Sequence, residues 1–483
     1  MMASTSFSFP SHLLYQNPIR SSFKPKRRTI LPSRSALSDP FVLQLAETFE
    51  DSLSSVSSEA LSLPFLQKLR DSSSASLLSK TWPTSKDEPF RFTDISFLKQ
   101  SEIAPVSTIP SQYSRETHHL GFYDSQSASL FIVDGRVVAT FSDLSGLPSN
   151  VFVGSISTAP ESFIQDISDS LAEFSQGDLF WDLNGMGALD ITVIYVPAGT
   201  RVEKPLHLRF FSSQGVKDGL ERLPVSNPRC IVVVEKGADI EIIEEYFGRE
   251  EDESYWTNSV MELVIAEGGR VRHSYLQMQN RNAAHMKWTV VRQEASSGYE
   301  LVEISTGAKL SRHNLHIQQL GPDTVTNLSA FYLCGSNQTQ DLHSRLVLDH
   351  PRGEARQLHK CIVSQSSGQA VFDGNIKVNR FAQQTDAGQM SRSLLLAPRA
   401  TVNLKPNLQI IADDVKCSHG AAISDLEKEP LFYFQARGID LQTARNALVF
   451  SFGAEVTALL DPPLRKRVED HLRGLLTAEG AFQ

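Results

Sequence analysis

The spacing of apolar positions changes twice along the chain. Up to about residue 89 they recur at helical intervals. Phe41, Leu45 and Phe49 fall every fourth residue, and Leu61, Phe65 and Leu69 repeat the interval, which puts each set on one helix face. A serine-rich stretch at 72–79 follows and reads as a linker. Residues 90–180 are mixed. Within them, 130–140 carries Asp134-Gly135 between two apolar runs, the signature of a hairpin closed by a two-residue turn. Residues 164–174 have the spacing of a short helix.

From about 191 to 423 strand-like runs take over, at 230–235, 239–247, 260–266, 271–278, 288–293 and 301–304, and onward to 402–411. Glycines punctuate them, among them Gly237, Gly268, Gly298, Gly335, Gly368 and Gly388. No amphipathic helix interrupts these roughly 230 residues, and strands start at intervals of about ten to fifteen. Strands without crossover helices make a sandwich, a barrel or a stacked coil. A single sandwich of this length is unusual. A mainly β fold with a β-helix solenoid core is therefore expected, each coil burying its inner face on its neighbours. No fixed repeat period emerges. After Gly438 the helical interval returns. Asp440 can cap a helix whose apolar face is Leu441, Ala444, Leu448, Phe452 and Val456. Asp461 followed by Pro462 can start a second, with Leu464, Val468, Leu472 and Leu476 every fourth residue. Both apolar faces must bury on the β core or on a partner.

Charge and composition narrow the function. The net charge of −9 speaks against general binding to nucleic acid or anionic membranes, which need a basic face. No run of about 18 apolar residues is present to span a membrane. Residues 1–38 hold nine serines and no Asp or Glu, with Arg20, Lys24, Lys26, Arg27, Arg28 and Arg34 in the second half. That composition belongs to an organelle transit peptide, and the uncharged first nineteen residues favour the plastid. A tail with no address is the bland alternative. Cys230, Cys334, Cys361 and Cys417 are far apart with no CxxC, which fits a reducing compartment better than a disulfide scaffold or a zinc ribbon.

No phosphate-cradling P-loop, GxGxxG, HExxH or GxSxG motif occurs, so an ATP-driven step would come from a partner. The most suggestive cluster is Asp413-Asp414-Val415-Lys416-Cys417-Ser418-His419-Gly420. In a strand Cys417 and His419 project to one face, and a thiolate with an imidazole can share iron. Two protein ligands are too few for a cluster, so the rest would come from a second chain or small molecules. The bland reading is a buried cysteine and a hydrogen-bonded histidine. His359 and Cys361 repeat the arrangement, with a stronger structural reading. His313, His316, His343 and Cys334 read as structural, and the acidic run 250–253 as a solvated loop. Asp373, Asp386, Asp413 and Asp414 raise a rival: β-helix enzymes acting on acidic polysaccharides use clustered aspartates.

Four ordered segments resemble one family. Residues 375–396, 412–421 and 431–439 look like the core of the SufB/SufD family of iron–sulfur cluster assembly scaffolds, and 82–95 is similar to its N-terminal P-x-x-K-x-E motif. The chain departs from the usual "GAT-x-G" at Gly420-Ala421-Ala422-Ile423-Ser424. Few cysteines, and none clustered near the N-terminus, place it on the SufD side. The resemblance implies a right-handed parallel β-helix with a helical or mixed N-terminal region and a C-terminal helical region. The expected division is a plastid transit peptide at 1–38, an N-terminal region at 39–180, the β-helix at 181–424 and an ATPase-docking region at 425–483. It further implies a non-catalytic scaffold of the plastid stroma. Its partners would be a SufB-like paralogue, paired along the end of the β-helix, and two copies of a SufC-like ATPase, gripped by the C-terminal helices. His419, with Cys417 beside it, would then touch a transient iron–sulfur cluster at the paralogue interface, with no cofactor permanently bound. A β-helix carbohydrate-active enzyme and a purely structural plastid protein are the alternatives.

Overall fold

Strands of about ten residues with side chains alternating in and out can stack as coils if every inner face finds a neighbour. The computed structural model describes residues 39–54, 56, 63–107, 127–164, 177–216, 222–249 and 253–478. The segment read as a transit peptide lies outside them, as do most of 164–174 and of the acidic run 250–253. The core opens with β1 (Glu102–Pro105), β2 (Ala128–Val133), β3 (Arg136–Val137), β4 (Phe152–Ser155), β5 (Thr192–Val196), β6 (Leu206–Ser212), β7 (Arg222–Ser226) and β8 (Arg229–Val234). It continues with β9 (Asp239–Gly248), β10 (Trp256–Ile265), β11 (Arg270–Gln277), β12 (Ala284–Gln293), β13 (Gly298–Ser305), β14 (Leu310–Gln319) and β15 (Val325–Cys334). It ends with β16 (Thr339–Leu348), β17 (Glu354–Val363), β18 (Gln369–Val378), β19 (Thr385–Leu395), β20 (Thr401–Ile410) and β21 (Val415–Ser424).

From β8 onward alternate strands join alternate sheets. One sheet runs β20-β18-β16-β14-β12-β10-β8-β5-β4, the other β21-β19-β17-β15-β13-β11-β9-β6-β2-β3. Neighbours within the repeated part are parallel. Each coil thus supplies one strand to each sheet, and the result is a parallel β-solenoid of about seven turns. Trp256 pairs with Ala284, Ala284 with Leu310, Leu310 with Thr339, Thr339 with Gln369 and Gln369 with Thr401, so successive coils take 28, 26, 29, 30 and 32 residues. The drift is absorbed at the corners, and it explains why the sequence has no fixed period.

The expected hairpin is present. Ile132 faces Val137 and Val133 faces Arg136 across an antiparallel pair. Asp134 and Gly135 take φ of 48° and 87°, the positive values a two-residue turn of this kind demands at both positions.

The solenoid interior is not uniformly apolar. Between aliphatic layers lies a buried polar band. Lys287 pairs with Glu244, and His273 Nε2 lies 3.0 Å from Glu244 Oε2. The Tyr246 hydroxyl donates to Glu244 at 2.7 Å, and His313 meets Glu303 at 2.9 Å. Burial alone would raise the Glu244 carboxyl, but Lys287 and His273 outweigh it and hold the group well below the carboxylate range. The buried Lys287 ammonium and Glu244 carboxylate offset each other, as burial of charge requires.

Helices flank the core. α1 (Pro40–Ser54) buries Val42, Leu45, Ala46 and Phe49. The stretch expected as a linker at 72–79 is instead mostly helix, because α2 (Pro64–Leu77) continues through it. Packing overrides composition here: Ser73 is buried, small serines let α2 lie close to a later helix, and Arg70 reaches the Ala188 carbonyl at 2.8 Å. After the short α3 (Ser96–Gln100), α4 (Leu179–Gly187) is buried at every residue and capped by Asp178, whose carboxylate accepts from the Phe180 and Trp181 amides.

Three helices follow the last coil: α5 (Lys428–Gln435), α6 (Leu441–Thr457) and α7 (Pro462–Ala478). α6 and α7 lie on the outer face of the β9–β21 sheet, against Ile243, Leu276, Ile304, Phe331, Leu333 and Ile362. On α7 the expected face of Leu464, Val468, Leu472 and Leu476 is buried throughout. On α6 the expected face is rotated: Ala444, Val449, Gly453, Val456 and Thr457 are buried while Leu441 is exposed. The reason is Gly453, where an added Cβ would come within 3.0 Å of the Phe331 ring. The helix approaches the sheet at its smallest side chain, not along its largest. Lys360, rising from β17, fastens it by donating to the Phe452 carbonyl at 2.7 Å and pairing with Glu455 at 2.5 Å.

Candidate functional site

β20 and β21 form the last coil, and each is an edge strand: β20 pairs with β18, β21 with β19, and among the described residues neither pairs with a strand on its other side. No described residue covers this end as the preceding coils cover one another. Ile410 is 46% exposed, Ile411 53%, Ile423 51% and Phe381 76%. An uncovered edge with exposed aliphatics is a ready template for another chain.

The register places the sequence candidates on this edge. Cys417 sits beside Ala387 and His419 beside Gln389. Ala387 belongs to the solenoid interior, and Cys417 packs partly against the same cluster. Alternation therefore gives His419 the inward-facing register too. Because no coil follows, its position is exposed. Below it the inward positions form a polar file: Gln389 donates to Gln357 at 2.9 Å, and Gln357 donates to Ser344 at 2.7 Å. His419 thus stands at the open end of a column of hydrogen-bonding side chains, where an imidazole keeps free nitrogen for a ligand. Burial raises the Cys417 thiol above its ordinary value, partly offset by a hydrogen bond from the Ala387 backbone. It holds its proton at neutral pH unless a metal displaces it.

The second Cys–His pair is elsewhere. Cys361 and His359 are fully buried on β17. The His359 ring stacks on Phe372 with centroids 4.5 Å apart, its Nδ1 lies 3.0 Å from the Ser391 hydroxyl, and burial lowers its pKa to about 3. It is a neutral core histidine. His313 is held between Glu303 and Thr289, both at 2.9 Å, and His316 lies edge-on to Trp288 with burial lowering it to about 4. Cys334 is buried, with its sulfur 3.4 Å from the Gln369 carbonyl. The aspartates of the polysaccharide reading do not converge as a facing pair: Asp373 is in one sheet with Lys405 at 3.3 Å, Asp386 in the other with Arg356 at 2.9 Å. Among the described residues no three or more His, Cys, Asp or Glu side chains cluster to hold a metal ion.

Two features near this end were not read from the sequence. The first is a strap. Residues 88–93 cross the outer face of the other sheet and are tied to successive coils. Arg312 of β14 donates to the Pro89 carbonyl at 2.8 Å, and Thr93 donates to Asp341 of β16 at 2.6 Å. Gln369 of β18 donates to the Phe92 carbonyl at 2.8 Å, and Lys405 of β20 pairs with Glu88 at 2.7 Å. A pocket of about 100 Å³ lies under it, with His343, Asp373 and Lys405 in its wall. The mixed acidic, basic and aromatic motif at 82–95 was its only trace. The second is α5, which buries none of its residues and presents Phe432 and Tyr433 at 72% and 56% exposure.

Comparison with known proteins accords with this layout. A family model described as "SUF system FeS cluster assembly, SufBD core domain" matches residues 216–452, and "SufBD protein N-terminal region" matches 42–208. The chain is 56% identical to "Protein ABCI7, chloroplastic" of Arabidopsis thaliana, over 94% of this chain and 97% of that one. It is 34% identical to an iron–sulfur cluster assembly SufBD family protein of Synechocystis, over 77% and 83%. It is 31% identical to the iron–sulfur cluster assembly protein SufD of Escherichia coli, over 81% and 89%. No described helix is long and apolar enough to cross a membrane.

Proposed function

We propose a scaffold role from one premise: the chain belongs to the SufBD family of SUF iron–sulfur cluster assembly proteins and is of the SufD type. In this reading it is a non-catalytic subunit that shapes a shared assembly site. The open end of the solenoid receives a SufB-like paralogue. The observation that carries the reading is that both strands of the last coil are unpaired edges with His419 on the inward register between them. The cluster is cargo, not a resident group. His419 supplies an imidazole ligand, Cys417 stands behind it as a protonated thiol, and the partner supplies the remaining ligands. The exposed aromatic face of α5, with α6 and α7, docks a SufC-like ATPase, whose nucleotide chemistry this chain's sequence lacks. Residues 1–38 act as a transit peptide delivering the protein to the plastid stroma, a reading supported by their acid-free, serine-rich composition and by the chloroplastic relative.

The test is anaerobic reconstitution of the co-purified three-component complex with iron and sulfide. His419→Ala is expected to lower cluster absorbance several-fold while the complex elutes intact. Unchanged reconstitution removes His419 from the site.

A further inference from the structure

The floor under β21 is the row of inward side chains on β19. Among the described residues three of them hold buried polar atoms with no hydrogen-bond partner: the Thr385 hydroxyl, the Gln389 amide oxygen and the Ser393 hydroxyl. A buried polar group in this state calls for a partner. The register puts Val415 above Thr385 and Ile423 above Ser393, and neither side chain can donate. Above Gln389 stands His419, whose neutral ring carries one N–H and one bare nitrogen.

The Gln389 amide is held in place. Its nitrogen donates to the Gln357 oxygen in the coil beneath at 2.9 Å, and the Gln357 nitrogen donates to Ser344 at 2.7 Å. Gly374, on β18 of the opposite sheet, leaves room for this arrangement, since a Cβ there would collide with the Gln389 nitrogen. With its N–H end committed downward, the amide keeps its oxygen for the coil above. Gln389 is only 3% exposed, whereas His419 is exposed because no described coil roofs it. Adjacent strands lie about 4.8 Å apart, so a turn of the imidazole about its side-chain torsions brings an N–H over that oxygen.

We propose that Gln389 is the positioning residue of His419: its amide oxygen accepts the imidazole N–H, which selects the tautomer and presents the bare nitrogen at the mouth of the solenoid. This role rests on the reading of His419 as a ligand to the cluster. The hydrogen bond made by one ring nitrogen decides which nitrogen is free for a metal. Loss of such an outer partner costs about 10- to 100-fold in metal affinity.

The test has two arms. The first uses the full chain labelled with nitrogen-15 histidine at about pH 8.5, well above the ordinary histidine value. The ring nitrogens of His419, identified by their loss in His419→Gln, report its tautomer ratio. Gln389→Met is expected to shift that ratio by about two- to tenfold, the worth of one hydrogen bond, and Gln389→Glu, which keeps an acceptor in place, to hold it. The second arm uses the co-purified three-component complex, reconstituted anaerobically with sulfide in excess. The iron concentration at half-maximal cluster absorbance should rise about tenfold or more in Gln389→Met while the complex elutes intact. A ratio that Gln389→Met leaves unchanged overturns the contact, as does loss of the native ratio in a folded Gln389→Glu chain. A native iron midpoint for Gln389→Met, in a complex that loses its cluster with His419→Ala, overturns the positioning role alone. If His419→Ala itself leaves reconstitution unchanged, the ligand reading fails and the positioning role with it, whatever the nitrogen-15 ratio shows of the contact.

Discussion

Replacing Ile423 by lysine tests whether the open end of the solenoid is a pairing surface. Ile423 lies on the edge strand β21, opposite Ser393, and half of its surface is still in water at 51% exposure. Full burial of an isoleucine is worth about 1.5–3 kcal/mol, so covering the remaining half contributes about 1 kcal/mol to association. Lysine forfeits that term and brings an ammonium that must be dehydrated or swing clear, a loss of similar size. The sum is about 2–3 kcal/mol, or roughly 30- to 150-fold in Kd. The free chain should lose no more than about 1 kcal/mol, the worth of the half of Ile423 already buried, because a lysine stem can keep part of that contact and an edge lysine is well tolerated. Titration calorimetry against a SufB-like paralogue measures the affinity, and thermal denaturation of the free variant checks the fold. Ile423→Val should change Kd by less than about threefold. If Ile423→Lys binds within threefold of the native chain while keeping its melting temperature, the pairing surface lies elsewhere.

The joint change Phe432→Ala and Tyr433→Ala should leave that affinity and the melting temperature unchanged, but weaken co-purification of a SufC-like ATPase at least tenfold; full retention moves the docking site off α5. Lys287→Met leaves the Glu244 carboxylate buried without its ammonium partner and should cost about 3–5 kcal/mol in urea denaturation. His359→Gln should flatten the acid side of the stability profile. Burial lowers this imidazole to about 3 from an ordinary 6.5, so its contribution is complete above pH 6.5 and is lost as pH falls toward 3. At pH 5 the native chain should have lost about 2 kcal/mol, relative to pH 7, that the variant has not; urea midpoints at the two values measure the difference.

Local chemistry made much of the fold legible in the sequence. Asp134-Gly135 can hardly be anything but a tight turn, because both positions need positive φ. The four-residue interval on α7 meant a buried stripe because its partner is a plain aliphatic sheet. What could not be read depends on contacts between distant segments. The buried face of α6 is set by Phe331, more than a hundred residues earlier, which selects Gly453 for closest approach. Residues 72–77 are helical because α4, a hundred residues later, accepts a serine-lined face. The coil length drifts from 26 to 32 residues because corners are free to grow where strands are not. At the candidate site, the shared face of Cys417 and His419 followed from strand alternation alone. That β21 would be the final strand, leaving the histidine uncovered, needed the whole stack.

The uncovered last strand favours residue 419 over residue 359 as the proposed ligand position. Both histidines occupy inward registers of the same sheet, two coils apart. His359 is roofed by the next coil, stacked on Phe372 and kept neutral by burial, so an approaching metal would have to displace packing and open the core. His419 stands one inward position earlier along its strand, in register with Gln389 and Gln357, with the roof removed. Inward side chains of a solenoid are held by the coil beneath and closed off by the coil above, so only the terminal coil offers a position that is held yet open. The same truncation leaves two strand edges and several half-exposed isoleucines with unmet pairing and burial. A ligand bound at His419 therefore sits where a second polypeptide has most to gain by docking, and the uncovered edge supplies the driving force that would bring the missing ligands to it.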